Sequence, residues 1–421
     1  MEQYKKNRNK RSLWALWLGQ AMAVGGVLML LLGQASAAEL PSGFAESKVA
    51  SVLSPAHLAI APDGRLFVSE QRGDLRVIKN GVLNEKPFLT LDVNTQGERG
   101  LLGVAFDPEF SDNRYLYVYY TARTPETHNR VSRFTANGDT VVPNSERILL
   151  EIDNVGRSIF HNGGALQFGP DGKLYVSVGD NAGIPSRRNS QSLENLFGKV
   201  MRINKDGSIP ADNPFFTVAS GKYRAIWAIG FRNPYSIAFD SKGDAQSMKF
   251  FVNDVGPDDY EEINEGVAGG NYGWPDVVGD SADPRFRAPV YSYRHSRTRG
   301  DEVGCAVTGG VFYRSNGASA RFPSEYEGKY FFNDYCSHWI RVLDPVTQVV
   351  TSFASSIAQN SVGLKVGPDN SLYYLSRWRQ GLFQITFATA PGPVITLEPE
   401  TQMAVSPRMI LNYRKGSAAS K

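Results

Sequence analysis

The 421-residue chain has few of the residues and motifs that usually carry metal, haem or nucleotide chemistry. It contains two cysteines and five histidines and no C-x-x-C-H motif, which excludes a zinc-type cysteine–histidine cluster and a covalently attached haem. No G-x-G-x-x-G and no G-x-S-x-G occur, so the usual dinucleotide site and the hydrolase nucleophile elbow are also excluded. Glycine (41 residues), Tyr (19) and Phe (23) are plentiful, which favours a turn-rich β fold.

The chain also lacks the excess of positive charge that nucleic-acid binding requires. It has 45 Lys and Arg against 42 Asp and Glu, a formal net charge of +3. The first 37 residues alone contribute +4, from five basic residues and one acid, which leaves a net charge of −1 on the remaining chain. No basic stripe interleaved with aromatic residues occurs there. We therefore predict that nucleic acid is not a partner.

The N-terminal segment has the features of an export signal. A basic front (residues 5–11) is followed by a long apolar run (residues 13–32), and Ala-Ser-Ala at residues 35–37 closes it. This order predicts a cleaved signal peptide over residues 1–37. The run is also long enough for an uncleaved membrane anchor, but small residues rather than charges end it, which favours cleavage. We expect a periplasmic or secreted protein.

The two cysteines are Cys305 and Cys336. Exported proteins fold in an oxidising compartment, where disulfides form and persist. One disulfide between them is therefore favoured over two free thiols.

One turn–strand signature recurs along the chain. IAPDGRLFVSE at residues 60–70 returns as FGPDGKLYVSVGD at 168–180 and as VGPDNSLYYLS at 366–376, and looser copies occur at three other places. Each copy reverses the chain with a turn containing Asp-Gly or Asn and continues as an apolar and aromatic strand. The six strand cores begin near Leu66, Leu116, Leu174, Phe250, Tyr330 and Leu372.

Six sheet units with no long amphipathic helix between them predict an all-β fold. We predict a six-bladed β-propeller with four-stranded antiparallel blades over residues 42–386. A pair of β-sandwiches is the competing layout, but it does not explain one signature repeated six times. Residues 387–421 lose the repeat and are expected to form a partly disordered C-terminal extension.

His161 and Asp180 flank the third copy of the signature. An imidazole titrates near neutral pH and can abstract a proton if a partner holds its tautomer. A strand–turn–strand unit brings the pair together when His161 precedes one strand and Asp180 follows its antiparallel neighbour. The alternative is a histidine that hydrogen-bonds the backbone at the Gly-Gly turn of HNGG.

Polar side chains that follow equivalent strands are expected to meet at one rim of the propeller. Gln71 follows the first copy as Asp180 follows the third, and Arg377 and Arg379 follow the last. Such a rim suits an anionic, oxygen-rich ligand. Arg232, which precedes Asn233 and a proline turn, offers a further rigid guanidinium for a carboxylate or carbonyl, although an ion pair between blades explains it equally well.

Oxygen ligands crowd the segment NDVGPDDYEE at residues 253–262. Gly256 and Pro257 can turn their carbonyls outward, and calcium accepts six to eight such oxygens in irregular geometry. The spacing is not that of an EF-hand, and a merely solvated acidic loop is the alternative. Tyr272 and Trp274 follow in the motif GGNYGWP. They form either an aromatic wall for a ligand or part of the core.

Several stretches resemble the soluble sugar dehydrogenases that depend on pyrroloquinoline quinone (PQQ), the glucose/sorbosone dehydrogenase family. The matching motifs are GERGLLGVAFDPEF, HNGGALQFGPDGKLYVSVGD, FGKVMRINKDGSIPADNPF, AIWAIGFRNPYSIAFD and VGPDDYEEINEGVAGGNYGWP. The chain lacks long insertions, and in this it resembles the shorter aldose dehydrogenases of the family. The resemblance implies a six-bladed propeller that uses PQQ and Ca²⁺ to oxidise the C1 hydroxyl of aldoses to lactones.

The resemblance also implies roles for individual residues. His161 is the general base, Asp180 orients it, and Arg232 stabilises charge on the reduced cofactor. The residues implied in cofactor binding are Gln71, Arg232, Asn233, Lys365, Arg377 and Arg379. Backbone carbonyls of Gly256 and Pro257 are implied to hold the calcium beside PQQ, and Glu262 and Tyr272 a second, structural calcium.

The implied partners are an aldose and an external electron acceptor, a quinone or a cytochrome, for a monomer or homodimer. Two other functions fit the same residues. One is a non-catalytic, calcium-binding propeller that acts as a carbohydrate or protein binding module. The other is a calcium-dependent hydrolase, such as a lactonase, in which a metal-bound water replaces the quinone.

Overall fold

The structure is a computed structural model, and it describes residues 38–183, 186–295, 303–317 and 321–388. The predicted signal peptide (1–37) and all but the first two residues of the predicted C-terminal extension lie outside the described residues. Among the described residues, no helix has the length and apolar character needed to cross a membrane.

Short β-strands make up nearly all of the regular structure. The first nine are β1 (Phe44–Ser51), β2 (Pro55–Ile60), β3 (Leu66–Glu70), β4 (Asp74–Lys79), β5 (Val82–Leu83), β6 (Leu89–Thr90), β7 (Leu101–Phe106), β8 (Tyr115–Ala122) and β9 (His128–Asn137). The next nine are β10 (Thr140–Val141), β11 (Arg147–Asn154), β12 (Leu166–Phe168), β13 (Leu174–Val178), β14 (Lys199–Ile203), β15 (Ile226–Ile229), β16 (Pro234–Phe239), β17 (Phe250–Asp254) and β18 (Tyr260–Glu265). The last nine are β19 (Tyr291–His295), β20 (Val303–Gly304), β21 (Val307–Phe312), β22 (Tyr330–Asp334), β23 (Ile340–Leu343), β24 (Val350–Ala354), β25 (Ser361–Val366), β26 (Leu372–Ser376) and β27 (Gly381–Phe387).

Helices are few and short in the described residues. They are one α-helix, α1 (Phe110–Asn113), and three 3₁₀ segments, Ser186–Gln191, Gly221–Ala225 and Ser324–Tyr326. All of them lie in connections between strands, so the sheets alone define the architecture.

The strands form six sheets, which confirms the six-bladed propeller. In chain order the sheets are β2–β6, β7–β11, β12–β15, β16–β20, β21–β24, and β25–β27 with β1. Three blades have the predicted four antiparallel strands. The other three carry a short fifth strand, and β20 pairs with β19 in parallel. These additions lie on the outer part of a blade, where they cover an edge strand.

The first strand of each sheet lies innermost. Contacts between sheets join β2 to β7, β7 to β12, β12 to β16, β16 to β21, β21 to β25, and β25 back to β2. The six innermost strands therefore surround a central channel. The ring is closed by β1, which pairs with β27 in the last blade from Phe44 opposite Phe387 to Ser51 opposite Gly381.

The recurring signature is the turn into the second strand of each blade. The predicted strand cores lie in β3, β8, β13, β17, β22 and β26, and each is the second strand of its sheet. In three copies the turn aspartate accepts a backbone hydrogen bond two residues on: Asp63 from Arg65, Asp171 from Lys173, and Asp369 from Ser371. This side chain–backbone bond stabilises the reversal.

The core lies between blades rather than within one central layer. Every residue of β3, β13, β17, β22 and β26 is buried, because neighbouring blades cover both faces of each sheet. Aromatic rings fill the contacts: Tyr175 packs edge-on against Trp227 and against Phe239 of the next blade, with ring centroids 5.5 and 5.0 Å apart. Such aromatic pairs stabilise the fold beyond the contribution of the apolar surface that they bury.

The predicted disulfide is present between Cys305 and Cys336. It joins the loop before β21 to the turn after β22, and the fully buried Asp334 lies beside it. The Asp334 carboxylate accepts hydrogen bonds from the backbone N–H of Cys305, Ala306, Cys336 and Ser337 and from the Tyr293 hydroxyl. The disulfide and this carboxylate together hold the two loops.

Replacing both cysteines by serine is expected to lower the free energy of unfolding by about 3 kcal/mol, because the disulfide restricts the unfolded chain over a separation of 31 residues. Urea denaturation followed by tryptophan fluorescence measures the change. Reductant should shift the wild-type midpoint towards that of the double variant and leave the variant unaffected. Equal midpoints for the oxidised wild type and the variant would contradict the expectation.

Candidate functional site

The central channel widens into a cavity of about 370 Å³ at the end where the innermost strands begin. We call it the upper cavity. Its wall combines residues from several blades, among them His57, Gln71, Glu98, Asn233, Thr308 and Arg377. The volume lies within the roughly 300–1,000 Å³ typical of small-molecule sites.

A second cavity of about 580 Å³ lies where the same strands end, and we call it the lower cavity. Its wall includes Phe106, Phe168, Phe239 and Phe312, the last residues of four innermost strands. Lys365 also lines this cavity, and burial lowers its pKa to about 8.

His161 and Asp180 form a hydrogen-bonded pair beside the upper cavity. The imidazole Nδ1 lies 2.7 Å from Asp180 Oδ1, and the Asp180 side chain is almost completely buried. A carboxylate only accepts hydrogen bonds, so Nδ1 carries the proton and the neutral ring keeps Nε2 as an acceptor. His161 retains 15% side-chain exposure. The pair therefore has the tautomer and the access that a general base needs.

The β12–β13 hairpin brings this pair together. His161 precedes β12, Asp180 follows β13, and the two strands are antiparallel with Leu166 opposite Val176. The His161 backbone has a left-handed conformation (φ 56°), and a Cβ on Gly179 would lie 2.2 Å from the His161 carbonyl oxygen. The glycine thus allows the two loops to approach, and the predicted proximity is found.

Two further donors and one backbone acceptor hold the aspartate. The Trp274 indole N–H donates to Asp180 Oδ2 over 2.8 Å, and the backbone N–H of Ala182 donates to Oδ1 over 2.8 Å. The Asp180 N–H itself donates to the carbonyl of Arg232. Hydrogen bonds to both oxygens fix the orientation of the carboxylate. Trp274, offered from sequence as part of an aromatic wall, therefore orients the acid of the pair.

Arg232 and Asn233 are positioned by the buried carboxylate of Asp254. Their backbone N–H groups donate to Asp254 Oδ2 and Oδ1 over 2.9 and 2.6 Å. The Arg232 guanidinium donates to the Val255 carbonyl and lies 5.7 Å from the Trp274 ring centre. Asn233 Oδ1 accepts from the backbone N–H of Gly163, in the loop after His161. These contacts place Arg232 and Asn233 on the same side of the channel as the His161–Asp180 pair.

Gln71 and Arg377 join the first and last blades at the upper cavity. The Arg377 guanidinium donates to Gln71 Oε1, and Gln71 Nε2 donates to the carbonyls of Gly97 and Arg99 over 2.7 and 2.8 Å. Of the four residues predicted to meet at one rim, Gln71 and Arg377 line the upper cavity, Asp180 lies beside it, and Arg379 does not line it.

Two residues predicted to bind the cofactor, Lys365 and Arg379, are not among those that line the upper cavity. Lys365 lies towards the lower cavity, as described above. Arg379 is exposed, its backbone carbonyl accepts a hydrogen bond from Lys48 on β1, and its charge acts on Glu46 of the same strand. Lys365 lies within β25, and its charge also acts on the His57 ring in the wall of the upper cavity. Arg379 follows β26 and does not line the cavity.

The ligands predicted for two separate calcium ions, Gly256 and Pro257 for one and Glu262 and Tyr272 for the other, all line one small enclosed space of about 10 Å³. It is large enough for a single ion or water, so the structure brings the two predicted sites together. Burial raises the pKa of Glu262 to about 7, and no described basic side chain forms an ion pair with it. A buried carboxylate of this kind suits a divalent cation.

Tyr272 can offer a cation only its backbone. Its hydroxyl donates to the Glu265 carbonyl and accepts from the Val267 N–H, and its ring stacks on Phe231 at 4.3 Å. The phenol oxygen is therefore already engaged in two hydrogen bonds.

Two groups in the upper cavity were missed in the sequence analysis. Glu98 lines the wall and accepts a hydrogen bond from the His161 backbone. His57 also lines it, but burial, with the charge of Lys365, lowers the pKa of His57 to about 3, so its ring stays neutral. The motif GERGLLGVAF, part of one of the stretches that carry the family resemblance, contains Glu98 and could have indicated it. No local sequence pattern indicates His57.

The family model described as glucose/sorbosone dehydrogenase matches residues 52–383. Quinoprotein glucose dehydrogenase B of Acinetobacter calcoaceticus is 30% identical over 309 residues, 64% of this chain and 63% of that protein. Aldose sugar dehydrogenase YliI of Escherichia coli is 28% identical over 347 residues, 76% of this chain and 86% of that protein.

Solved structures agree with the fold. A putative oxidoreductase (glucose dehydrogenase) of Thermus thermophilus superimposes with a TM-score of 0.69 at 28% identity, covering 82% of this chain and all of that one. The match to the quinoprotein spans less than two thirds of its length, whereas the family model spans most of this chain. The chain belongs to the glucose/sorbosone dehydrogenase family.

Proposed function

We propose that the protein is a PQQ- and calcium-dependent dehydrogenase that oxidises the C1 hydroxyl of aldoses to lactones. The observation that carries the proposal is the His161–Asp180 pair beside the upper cavity, with Arg232 and Asn233 fixed on the same side. Its family supports a sugar dehydrogenase, and one relative is by name a quinoprotein.

His161 would act as the general base. With Nδ1–H bound to Asp180, its Nε2 is free to take the proton from a C1 hydroxyl placed within hydrogen-bond distance. Asp180 stabilises the imidazolium that results, and Trp274 and Ala182 keep the carboxylate in place. Bound PQQ would supply the two-electron oxidant that accepts the C1 hydride.

The residues of the upper cavity fit such a cofactor. PQQ is a flat tricarboxylate, and the cavity offers the Arg377 guanidinium, with Gln71 and Asn233 as polar side chains in the same wall. Arg232 adds a second guanidinium, aligned by Asp254, to stabilise negative charge on a reduced ring.

The donor set of the small enclosed space fits calcium. Gly256 and Pro257 would contribute carbonyl oxygens and Glu262 a carboxylate, all hard ligands. A cation there would also balance the charge of the buried Glu262 and of Asp254, whose pKa is raised by burial. Calcium would thus stabilise the loop that holds Arg232.

Location and partners follow from the same proposal. The disulfide accords with an oxidising compartment, and residues 1–37 would direct export to the periplasm or outside the cell. Two electrons must leave after each turnover, so an external acceptor, a quinone or cytochrome, is required.

The direct test adds PQQ and Ca²⁺ to the purified apoprotein and follows dye reduction with glucose and other aldoses. We expect dye bleaching that depends on sugar, PQQ and Ca²⁺ together. Carbohydrate or protein binding without quinone uptake would support a binding module instead. Lactone hydrolysis with Ca²⁺ alone would support a hydrolase.

His161→Ala should retain PQQ binding but lose turnover by about 10²-fold or more, since a positioned base is removed. Absorption titration with PQQ measures binding, and dye reduction measures turnover. His128→Gln, whose ring is bound to the Glu126 carbonyl away from the cavity, is the control and should keep its activity. Unchanged turnover in the alanine variant would exclude His161 as the base.

Gly256→Ala should weaken calcium binding at least about 10-fold, because a Cβ would lie 1.6 Å from the Tyr260 carbonyl oxygen and the loop must move. Calorimetry on chelator-treated protein gives the affinity. Gly243→Ala is the control, because its φ is not positive and a Cβ there would lie 3.1 Å from its nearest neighbour, the Ser247 carbonyl oxygen. Equal affinities for Gly256→Ala and wild type would argue against calcium in this loop.

A further inference from the structure

Glu98 connects the wall of the upper cavity to the base. Its carboxylate Oε2 accepts a hydrogen bond of 2.8 Å from the backbone N–H of His161. Glu98 also lines the cavity, so one carboxylate faces both the loop of the base and the space where a ligand would lie.

The backbone around Glu98 is held rigidly. Its own N–H donates to the Ile159 carbonyl over 2.8 Å. The Arg99 guanidinium donates to the carbonyls of Gly156 and Ser158, and Gln71 donates to the carbonyls of Gly97 and Arg99. Residues 97–99 are therefore tied to the loop at 156–161 by backbone and side-chain bonds, and Glu98 has a defined position.

His161 needs such a contact because of its backbone. A positive φ of 56° is unfavourable for a residue with a Cβ, and such conformations persist only where surrounding contacts enforce them. The bond from His161 N–H to Glu98 is one of these contacts. Losing it would let the loop relax and move the imidazole away from Asp180.

The other oxygen of Glu98 is available to a ligand. Within the described part of the chain, no donor forms a hydrogen bond with Oε1 and no basic side chain pairs with this carboxylate. A carboxylate beside the base accepts hydrogen bonds from hydroxyl groups and repels an anionic substrate.

We propose that Glu98 positions His161 through Oε2 and binds a substrate hydroxyl through Oε1, so that the site prefers neutral aldoses to uronic acids. The substrate half of this inference rests on the proposed function. The positioning half does not, because it concerns the apoprotein.

Hydrogen exchange on the apoprotein tests the positioning half. Glu98→Ala should speed exchange of the His161 amide at least about 10-fold, because its acceptor is lost. Glu98→Gln should stay within about 3-fold of wild type, since an amide oxygen accepts the same bond. The exposed Glu85→Gln is the matched control and should not differ from wild type.

Kinetics with glucose and glucuronate test the substrate half. In Glu98→Gln the charge is removed while the base stays positioned, so the ratio of kcat/KM for glucuronate to that for glucose should rise at least about 10-fold. In Glu98→Ala, kcat for glucose should fall more than the KM changes. Glu85→Gln should leave both values unchanged.

The outcomes separate the two proposals. Unchanged His161 exchange in Glu98→Ala overturns the positioning role, whatever the activity. An unchanged glucuronate-to-glucose ratio in an active Glu98→Gln overturns the substrate role while the dehydrogenase stands. If wild type oxidises no aldose, the proposed function fails with the substrate role, and the exchange result still decides the positioning role.

Discussion

Closure of the ring of blades is the constraint on which the site depends. β1 and β27, from the two ends of the propeller, pair in one blade and so bring the last innermost strand against the first. Only then can Arg377, from the last blade, reach Gln71 in the first. The same closure gives every second strand a neighbour on both faces, so the core and the channel form together.

Polar contacts at the upper cavity pass from blade to blade. Arg377 binds Gln71, Gln71 binds the backbone at residues 97–99, and Glu98 binds the backbone of His161. The His161 ring is hydrogen-bonded to Asp180, and the indole N–H of Trp274, in the fourth blade, donates to the same carboxylate. In surroundings that exclude much water these bonds are stronger than at the surface, and each unpaired member would be costly. The base is therefore held by the whole ring rather than by one loop.

Much of the fold could be predicted because the signature is local. The turn and the following apolar strand depend only on neighbours in the chain, and the recurring strand pattern marked all six second strands. The extra fifth strands escaped prediction, since pairs such as Val82–Leu83 are too short to show a pattern. The His161–Asp180 pair was foreseen because one hairpin spans it. Arg379 was assigned from its position after a strand and Lys365 from the resemblance, and neither lines the upper cavity, although the charge of Lys365 acts on His57 in its wall.

The sequence by itself determined the number of blades, the disulfide partners and the family, because each depends on residue types at regular or matching positions. The tertiary structure decided which side chains face the cavity. It placed Glu98 beside the base, put Lys365 in the wall of the lower cavity, and buried Glu262 with no basic partner among the described residues. Those facts depend on side-chain direction and on contacts between distant blades, and no local pattern in the chain records either.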